Sequence, residues 1–255
     1  MYFQSESIHG GLKALAYCYF HGDTEPPHSH TTAQLLHTLH GLLRIETEKG
    51  SWIVPPGRGL WIPAGMTHSL RANGTVQVKT LFIDPFARAD LPNECQVLEV
   101  TPLLRELILA AINIPQDYPK GGKEERIVEL ILDELKEISA LDFYVPVPHE
   151  DSGLKAICEK ISSRLEHPWS LTDAARMLGI SERSVSRKYH LYLGLSFGEW
   201  LRRQRLSRSL ELLSSGLNVM DTSLAVGYDS PGAFSTMFKS RVGLSPTDYV
   251  LLSKD

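Results

Sequence analysis

Leu171-Thr-Asp-Ala-Ala-Arg-Met-Leu-Gly-Ile180 runs into Ser181-Glu-Arg-Ser-Val-Ser-Arg-Lys-Tyr-His190. Starting 48 residues after Leu171, Val219-Met-Asp-Thr-Ser-Leu-Ala-Val-Gly-Tyr228 runs into Asp229-Ser-Pro-Gly-Ala-Phe-Ser-Thr-Met-Phe-Lys239. Each stretch has a short helix with a face of small residues, a glycine at the turn, and a polar N-cap opening a second helix. One such pattern arises often by chance. Two in tandem, at a spacing one rigid helix can bridge, point to a reader of duplex DNA. The bridge is expected over 197–213, where roughly 17 residues at about 1.5 Å each span about 25 Å. With helix widths added, that fits the roughly 34 Å between major-groove sites on one face of the duplex. Within Glu199-Trp-Leu-Arg-Arg-Gln-Arg-Leu-Ser-Arg208, Trp200, Leu201 and Leu206 are expected to pack inward while Arg202, Arg203 and Arg205 face phosphate or solvent.

Charge supports this placement. The whole chain carries a formal −4, but residues 152–255 hold 14 Lys+Arg against 10 Asp+Glu, and residues 1–151 hold 12 against 20. The basic excess therefore sits where the DNA-reading helices are expected, as counterion release requires. At 255 residues, with 42% hydrophobic and 22% charged content, the chain suits two modest globular domains. No apolar run reaches the length of a membrane span and no signal-peptide pattern precedes the first strand-like segment, so a cytoplasmic protein without a membrane partner is expected. Tyr2-Phe-Gln-Ser5 reads as the remnant of a tag-cleavage site. Cys18, Cys95 and Cys158, odd in number and scattered, read as reduced structural thiols.

Upstream, residues 8 to about 100 are strand-rich. Short runs such as Ala14–Phe20, Leu42–Thr47 and Val76–Ile83 are bounded by turn residues at Gly22, Gly50, Pro55-Pro-Gly57 and Asn73-Gly74, which suggests a barrel or sandwich. From Thr101 the period becomes helical. Leu103, Leu104, Leu107, Ile108 and Ala111 form one apolar stripe; Ile127, Leu130, Ile131, Leu135 and Ile138 form another. Phe143-Tyr-Val-Pro-Val-Pro-His149 is proline-spaced and reads as a linker too short for an element of its own. The expected organisation is a barrel over 6–100, a helical segment over 101–142, a linker over 143–151 and a helical domain over 152–255.

The region from Gly153 to Leu252 resembles the DNA-binding domain of the AraC/XylS family of bacterial transcription regulators. The second unit carries the resemblance best: Asp221, Ala225, Gly227-Tyr228, Phe234, Phe238-Lys239, Gly243-Leu-Ser-Pro246 and Tyr249 follow the family signature in order. Phe234, Phe238 and Tyr249 would supply a core, and Gly243 would cap the second reading helix. By this resemblance, the base-reading face of the first reading helix is Arg183, Ser186 and Arg187. Arg187 is the best candidate for a bidentate contact to guanine, whereas Arg183 is as well read as a phosphate contact. The second reading helix offers Gly232, Ala233, Ser235 and Thr236, which are poor readers of bases, with Lys239 placed for phosphate. Arg202 and Arg203 are expected to add phosphate contacts.

The N-terminal half resembles the cupin barrel in both of its sequence motifs. Gly22 is followed by His28-Ser-His30, Gln34 and Gly41; Gly57 is followed by Pro63-Ala-Gly65-Met-Thr-His68. Glutamine stands where the first motif usually has glutamate, and Ala72 where the second usually has asparagine. The resemblance implies that His28, His30, Gln34 and His68 converge inside the barrel, on one divalent transition metal such as Zn, Ni, Fe or Mn. Without metal, the same residues become the polar wall of an organic-ligand pocket. Trp52, Trp61 and His40 are further candidates for that pocket, His40 by strand alternation beside Gln34; His37 reads as an ordinary strand position.

The expected architecture is therefore an α+β two-domain protein: an N-terminal cupin-like β-barrel with following helices, then an all-α tandem helix-turn-helix. Together they imply a one-component transcription regulator, not an enzyme, with double-stranded DNA, a small-molecule or metal effector and RNA polymerase as partners. The second apolar stripe is expected to form a homodimer contact. Two alternatives stand: a metal-dependent cupin oxygenase or isomerase with an accessory DNA-binding domain, and a DNA-binding regulator whose barrel only dimerises.

Overall fold

The computed structural model describes residues 11–115, 117–136 and 140–252. Tyr2–Ser5, the first residues of the expected barrel and Ile138 lie outside them. The chain divides into two compact units, one of residues up to 47 with 52–141, the other of 48–51 with 142–255.

The first unit is built on strands β1 (Leu12–Tyr19), β2 (Thr24–His28), β3 (Ala33–Thr47), β4 (Gly50–Val54), β5 (Arg58–Ile62), β6 (His68–Ile83) and β7 (Gln96–Glu99). Helices α1 (Pro102–Ala111) and α2 (Lys123–Lys136) follow, then the two-residue β8 (Ala140–Leu141). The sheet order is β1-β6-β3-β5-β7-β8, with β2 also on β6 and β4 also on β3. Strands β3 and β6 are longer than the runs from Leu42 and Val76 suggest because the stretches ahead of those residues are also extended. Asn73-Gly74 is thus a corner within a strand and not a turn between two. Gly41 faces it with φ +72, where a Cβ would stand 2.4 Å from the Thr75 carbonyl oxygen.

Strand parity sorts the side chains. Leu35 and Leu81 oppose each other, as do Leu35 and Trp61. All three join one core with Leu104, Leu107 and Ile108 of α1 and Val128, Ile131, Leu132 and Leu135 of α2. The opposite face carries Gln34, Thr80 and Phe82, with Gln34 opposing Phe82. The second helical stripe is therefore only in part what the sequence suggested. Ile131 and Leu135 are consumed in this core; Leu130 is left exposed beside Glu129 and Asp133.

The second unit contains β9 (Tyr144–Pro146) and helices α3 (Ser152–Ser162), α4 (Leu171–Leu178), α5 (Glu182–Leu193), α6 (Phe197–Ser214), α7 (Val219–Ala225), α8 (Pro231–Val242) and α9 (Pro246–Leu252). Their starts are written in the sequence. Asp151, Ser170, Ser181, Ser196, Asn218 and Ser230 each cap a helix by accepting from the N–H three residues on. The expected linker is in fact an ordered strap. Val145 is buried in the helical core, the Tyr144 hydroxyl donates to the Lys49 carbonyl (2.6 Å), and Trp200 Nε1 donates to the Pro146 carbonyl (3.2 Å). Side chains use the carbonyls of Tyr144 and Pro146, which proline spacing alone does not reveal.

Candidate functional site

Both helix-turn-helix units form. Helix α4 buries Ala174 and Ala175 against the rest of the unit, ends at Gly179 in the left-handed region (φ +66), and hands over to α5. Thr172 Oγ1 donates to Glu182 Oε1 (2.6 Å), fixing the turn between the two helices. Bridging helix α6 has 18 residues, and Trp200, Leu201 and Leu206 are buried as expected. In the second unit, Phe234, Phe238 and Tyr249 form a continuous aromatic core with centroid separations of 5.6 and 5.5 Å. Gly243 caps α8 at φ +85. Gly227 (φ +78) allows the closest approach here: a Cβ would stand 2.3 Å from the Leu165 carbonyl oxygen.

The pairing of arginines separates readers from fasteners. Arg183 and Arg187, one turn apart on α5, are exposed and make no hydrogen bond or ion pair among the described residues. Each other arginine of the unit is engaged. Arg164, Arg176, Arg202 and Arg208 pair with nearby carboxylates. Arg203, its side chain 13% exposed, is bonded to Glu199, Asp142 and the Tyr144 carbonyl. Arg241 joins the same network through Glu199 (2.8 Å) and Asp142 (3.5 Å). Arg205 donates to the Leu165 and His167 carbonyls and lies over the Tyr228 ring. The expectation that Arg203 and Arg205 face phosphate or solvent is thereby corrected: both are fasteners within the unit. Burial opposes ionisation of Glu199, but Arg202, Arg241 and Arg203 outweigh it and hold the carboxyl below its usual range.

On α5, Ser186 is half-buried between the two free arginines. On α8, Gly232, Ala233, Thr236 and Lys239 are exposed and Ser235 half-buried. Thr236 returns its hydroxyl to the Gly232 carbonyl (3.0 Å). That surface is as small and featureless as its sequence implies.

In the first unit, His28, His30 and His68 converge. Their ring centroids lie 4.4 to 5.4 Å apart, and one nitrogen from each falls within 4.8 Å of the others. His28 Nδ1 contacts the Pro26 carbonyl (2.8 Å) and His68 Nδ1 the Met66 carbonyl (2.9 Å). A carbonyl only accepts, so both Nδ1 atoms carry hydrogen, and Nε2 is the nitrogen of each ring left without a backbone partner. Burial, then the His28 and His68 rings, push His30 down to about 4. Burial likewise lowers His68 against the opposing bond to Met66. Converging imidazoles whose Nε2 atoms are free of the backbone are what a divalent transition metal takes.

Gln34 reaches this cluster through Phe82, whose ring meets His30 at 5.2 Å. Fully extended, β6 would separate Phe82 from His68 by about 45 Å, yet both contact the same imidazole, so the strand curls around the site. Gln34 Nε2 donates to Thr80 Oγ1 (3.2 Å), while its Oε1 is buried without a partner among the described residues. Two expected pocket residues lie elsewhere. Trp61 faces the helical layer and donates to the Pro92 carbonyl (2.7 Å). His40 opposes exposed Gln77, not buried Val76, because the register shifts after Thr38 and breaks the alternation from Gln34. Trp52 is buried in β4. Sequence reasoning missed Glu25, whose Oε2 stands 3.6 Å from His28 Nε2 and whose Oε1 accepts from the Tyr19 hydroxyl (2.6 Å).

Comparison with known proteins bears on both units. The family model for the AraC-like ligand binding domain matches residues 14–183, and that for a helix-turn-helix domain matches residues 174–251. The HTH-type transcriptional regulator NimR of Escherichia coli K12 is 32% identical over 240 residues, covering 93% of this chain and 87% of its own. The putative HTH-type transcriptional regulator YkgA of the same organism is 33% identical over 97 residues, 38% of this chain and 41% of its own. Among solved structures, ToxT from Vibrio cholerae aligns at a TM-score of 0.41 and 14% identity, covering 95% of this chain and 98% of its own.

Proposed function

Because this chain belongs to the AraC family of helix-turn-helix transcriptional regulators, we propose that it reads bases mainly through Arg187 and Arg183. We propose further that its N-terminal unit senses a divalent transition metal, or an effector held by that metal, at His28, His30 and His68. For base reading, the supporting observation is that these two guanidiniums are unspent. Arginine reads guanine O6 and N7 with both arms of its fork, which a guanidinium already committed to carboxylates cannot do. Helix α8 then anchors through Lys239 more than it discriminates.

For the sensor, the supporting observation is the convergence of the three imidazoles with Nε2 of His28 and His68 left for a ligand. A bound Zn, Ni, Fe or Mn ion would supply positive charge and open coordination positions for an anionic or chelating effector. His28, His30 and His68 would hold it, and Gln34 would line the site. In this reading the barrel binds without turnover, the regulator works as a homodimer with RNA polymerase in a bacterial cytoplasm, and the dimer contact uses surface other than Ile131 and Leu135. No helix among the described residues is long and apolar enough to cross a membrane.

Metal content per chain tests the sensor directly, by elemental mass spectrometry on protein purified without chelator. About one transition-metal ion per chain, lost in the His28→Ala/His68→Ala double variant, is expected. No ion, with none taken up on addition, would overturn the metal and leave a second reading. That second reading is an organic-ligand pocket in which buried Gln34 Oε1 accepts from the ligand. A metal-dependent oxygenase or isomerase would instead consume a substrate, and the double variant would leave regulated DNA binding untouched.

A further inference from the structure

We propose that Glu25, and not Gln34, supplies the carboxylate of the metal shell, an inference that rests on the metal reading above. Three imidazoles leave a divalent ion with its full charge, and the neutral amide of Gln34 offsets none of it. The register of β2 on β6 provides the remedy. Glu25 opposes Leu70 and His28 opposes His68, so three steps on β2 match two on β6. The extra residue falls at Pro26-Pro27, a bulge where a missing N–H does no harm. Residues three apart on a regular strand face opposite sides; the bulge puts Glu25 and His28 on the same one, with buried Leu70 and His68.

The distance to His28 agrees with a shared ion, and Glu25 would close on that ion from outside the 4.8 Å set formed by the three imidazoles. Two ligands on one tetrahedral zinc stand about 3.4 Å apart, given bonds of about 2.0–2.2 Å. Glu25 Oε2 is 3.6 Å from His28 Nε2, the nitrogen left open by the bond of Nδ1 to Pro26. The Tyr19 hydroxyl holds the other oxygen at 2.6 Å, leaving Oε2 turned to His28. Tyr19 opposes buried Val76 on β6, which places it on the inner side as well. Tyr19 is thus a positioning residue, acting on the ion through the carboxylate.

Calorimetric titration of the full chain with Zn(II) tests this, with circular dichroism checking that each variant is folded. Glu25→Gln should weaken zinc binding on the order of 100-fold and Tyr19→Phe about tenfold, with Gln34→Ala weakening it less than either. Binding in Glu25→Gln equal to the unsubstituted protein, or a loss in Gln34→Ala as large as in Glu25→Gln, would overturn the assignment while leaving the three-histidine site standing. No zinc binding by the unsubstituted protein would overturn both. Should Glu25→Gln fail to fold, Tyr19→Phe decides alone: unchanged affinity overturns the proposal.

Discussion

Arg187 and Arg203 have the same side chain and opposite tasks. Arg187→Ala should cost specific binding about 1–3 kcal/mol and relax the preference at one base pair. Arg203→Ala should leave base preference alone and lower the melting temperature of the helical unit, since it strips Glu199, Asp142 and the Tyr144 carbonyl of a donor. Competition binding against single-base operator variants, alongside thermal melts, checks both. An equal fall of specific and nonspecific affinity in Arg187→Ala would make it a phosphate contact. The sequence could not separate these arginines, because an amphipathic pattern marks which side of a helix faces out and not which carbonyls wait there. Glu25 escaped for a related reason: strand alternation hides a bulge, and only the Pro-Pro pair signalled one. His37 is a third case, an apparently ordinary strand residue that is buried, with Nδ1 on the Arg58 carbonyl (3.2 Å). Burial lowers it from the ordinary histidine value of 6.5, opposed by that bond and assisted by Arg105. Its folded value is depressed, so below pH 6.5 the unfolded chain takes up a proton that the folded chain refuses. Stability should therefore fall as pH drops from about 6.5, and His37→Gln should flatten part of that slope in pH-dependent melts. An unchanged slope would assign the loss to other groups.

Among the elements, turns and caps were the most legible, because a helix N-terminus needs an acceptor and Ser, Asp and Asn announce it. Gly227 and Gly179 let the cost of two such turns be compared. Gly179→Ala meets only the left-handed backbone (φ +66, open space), whereas Gly227→Ala adds a Cβ 2.3 Å from backbone at Leu165. We expect about 1 kcal/mol from the first and about 3 kcal/mol or more from the second, since strain and clash add. Hydrogen exchange over α4 and α5 reads the first and over α7 and α8 the second; equal loss of protection in the two variants would mean that the Leu165 loop yields freely. Strand faces were less legible. Trp61 and His40 were placed in the pocket from aromatic character and a simple period of two. The pairing of Trp61 with Leu35 and the register shift after Thr38 put both elsewhere. Nothing local to either residue marks these choices; they follow from which strand lies alongside.

On the scale of the molecule, the two-part architecture could be read from the chain because each part carries its own period and its own charge balance. The strap at 144–146 could not, since its order depends on partners at Lys49 and Trp200 that are remote in sequence. Coupling between sensing and reading requires that the effector bind two states of the protein with different affinity. The decisive measurement is fluorescence anisotropy at fixed salt. It compares a duplex selected by this protein from a random library with a scrambled one, each with and without saturating Zn(II). We expect the selected duplex to bind at least about 10³-fold more tightly than the scrambled one, and zinc to change that ratio at least about fivefold. The zinc effect should vanish in His28→Ala/His68→Ala. Zinc bound at one ion per chain with no change in the ratio would contradict a metal-sensing regulator.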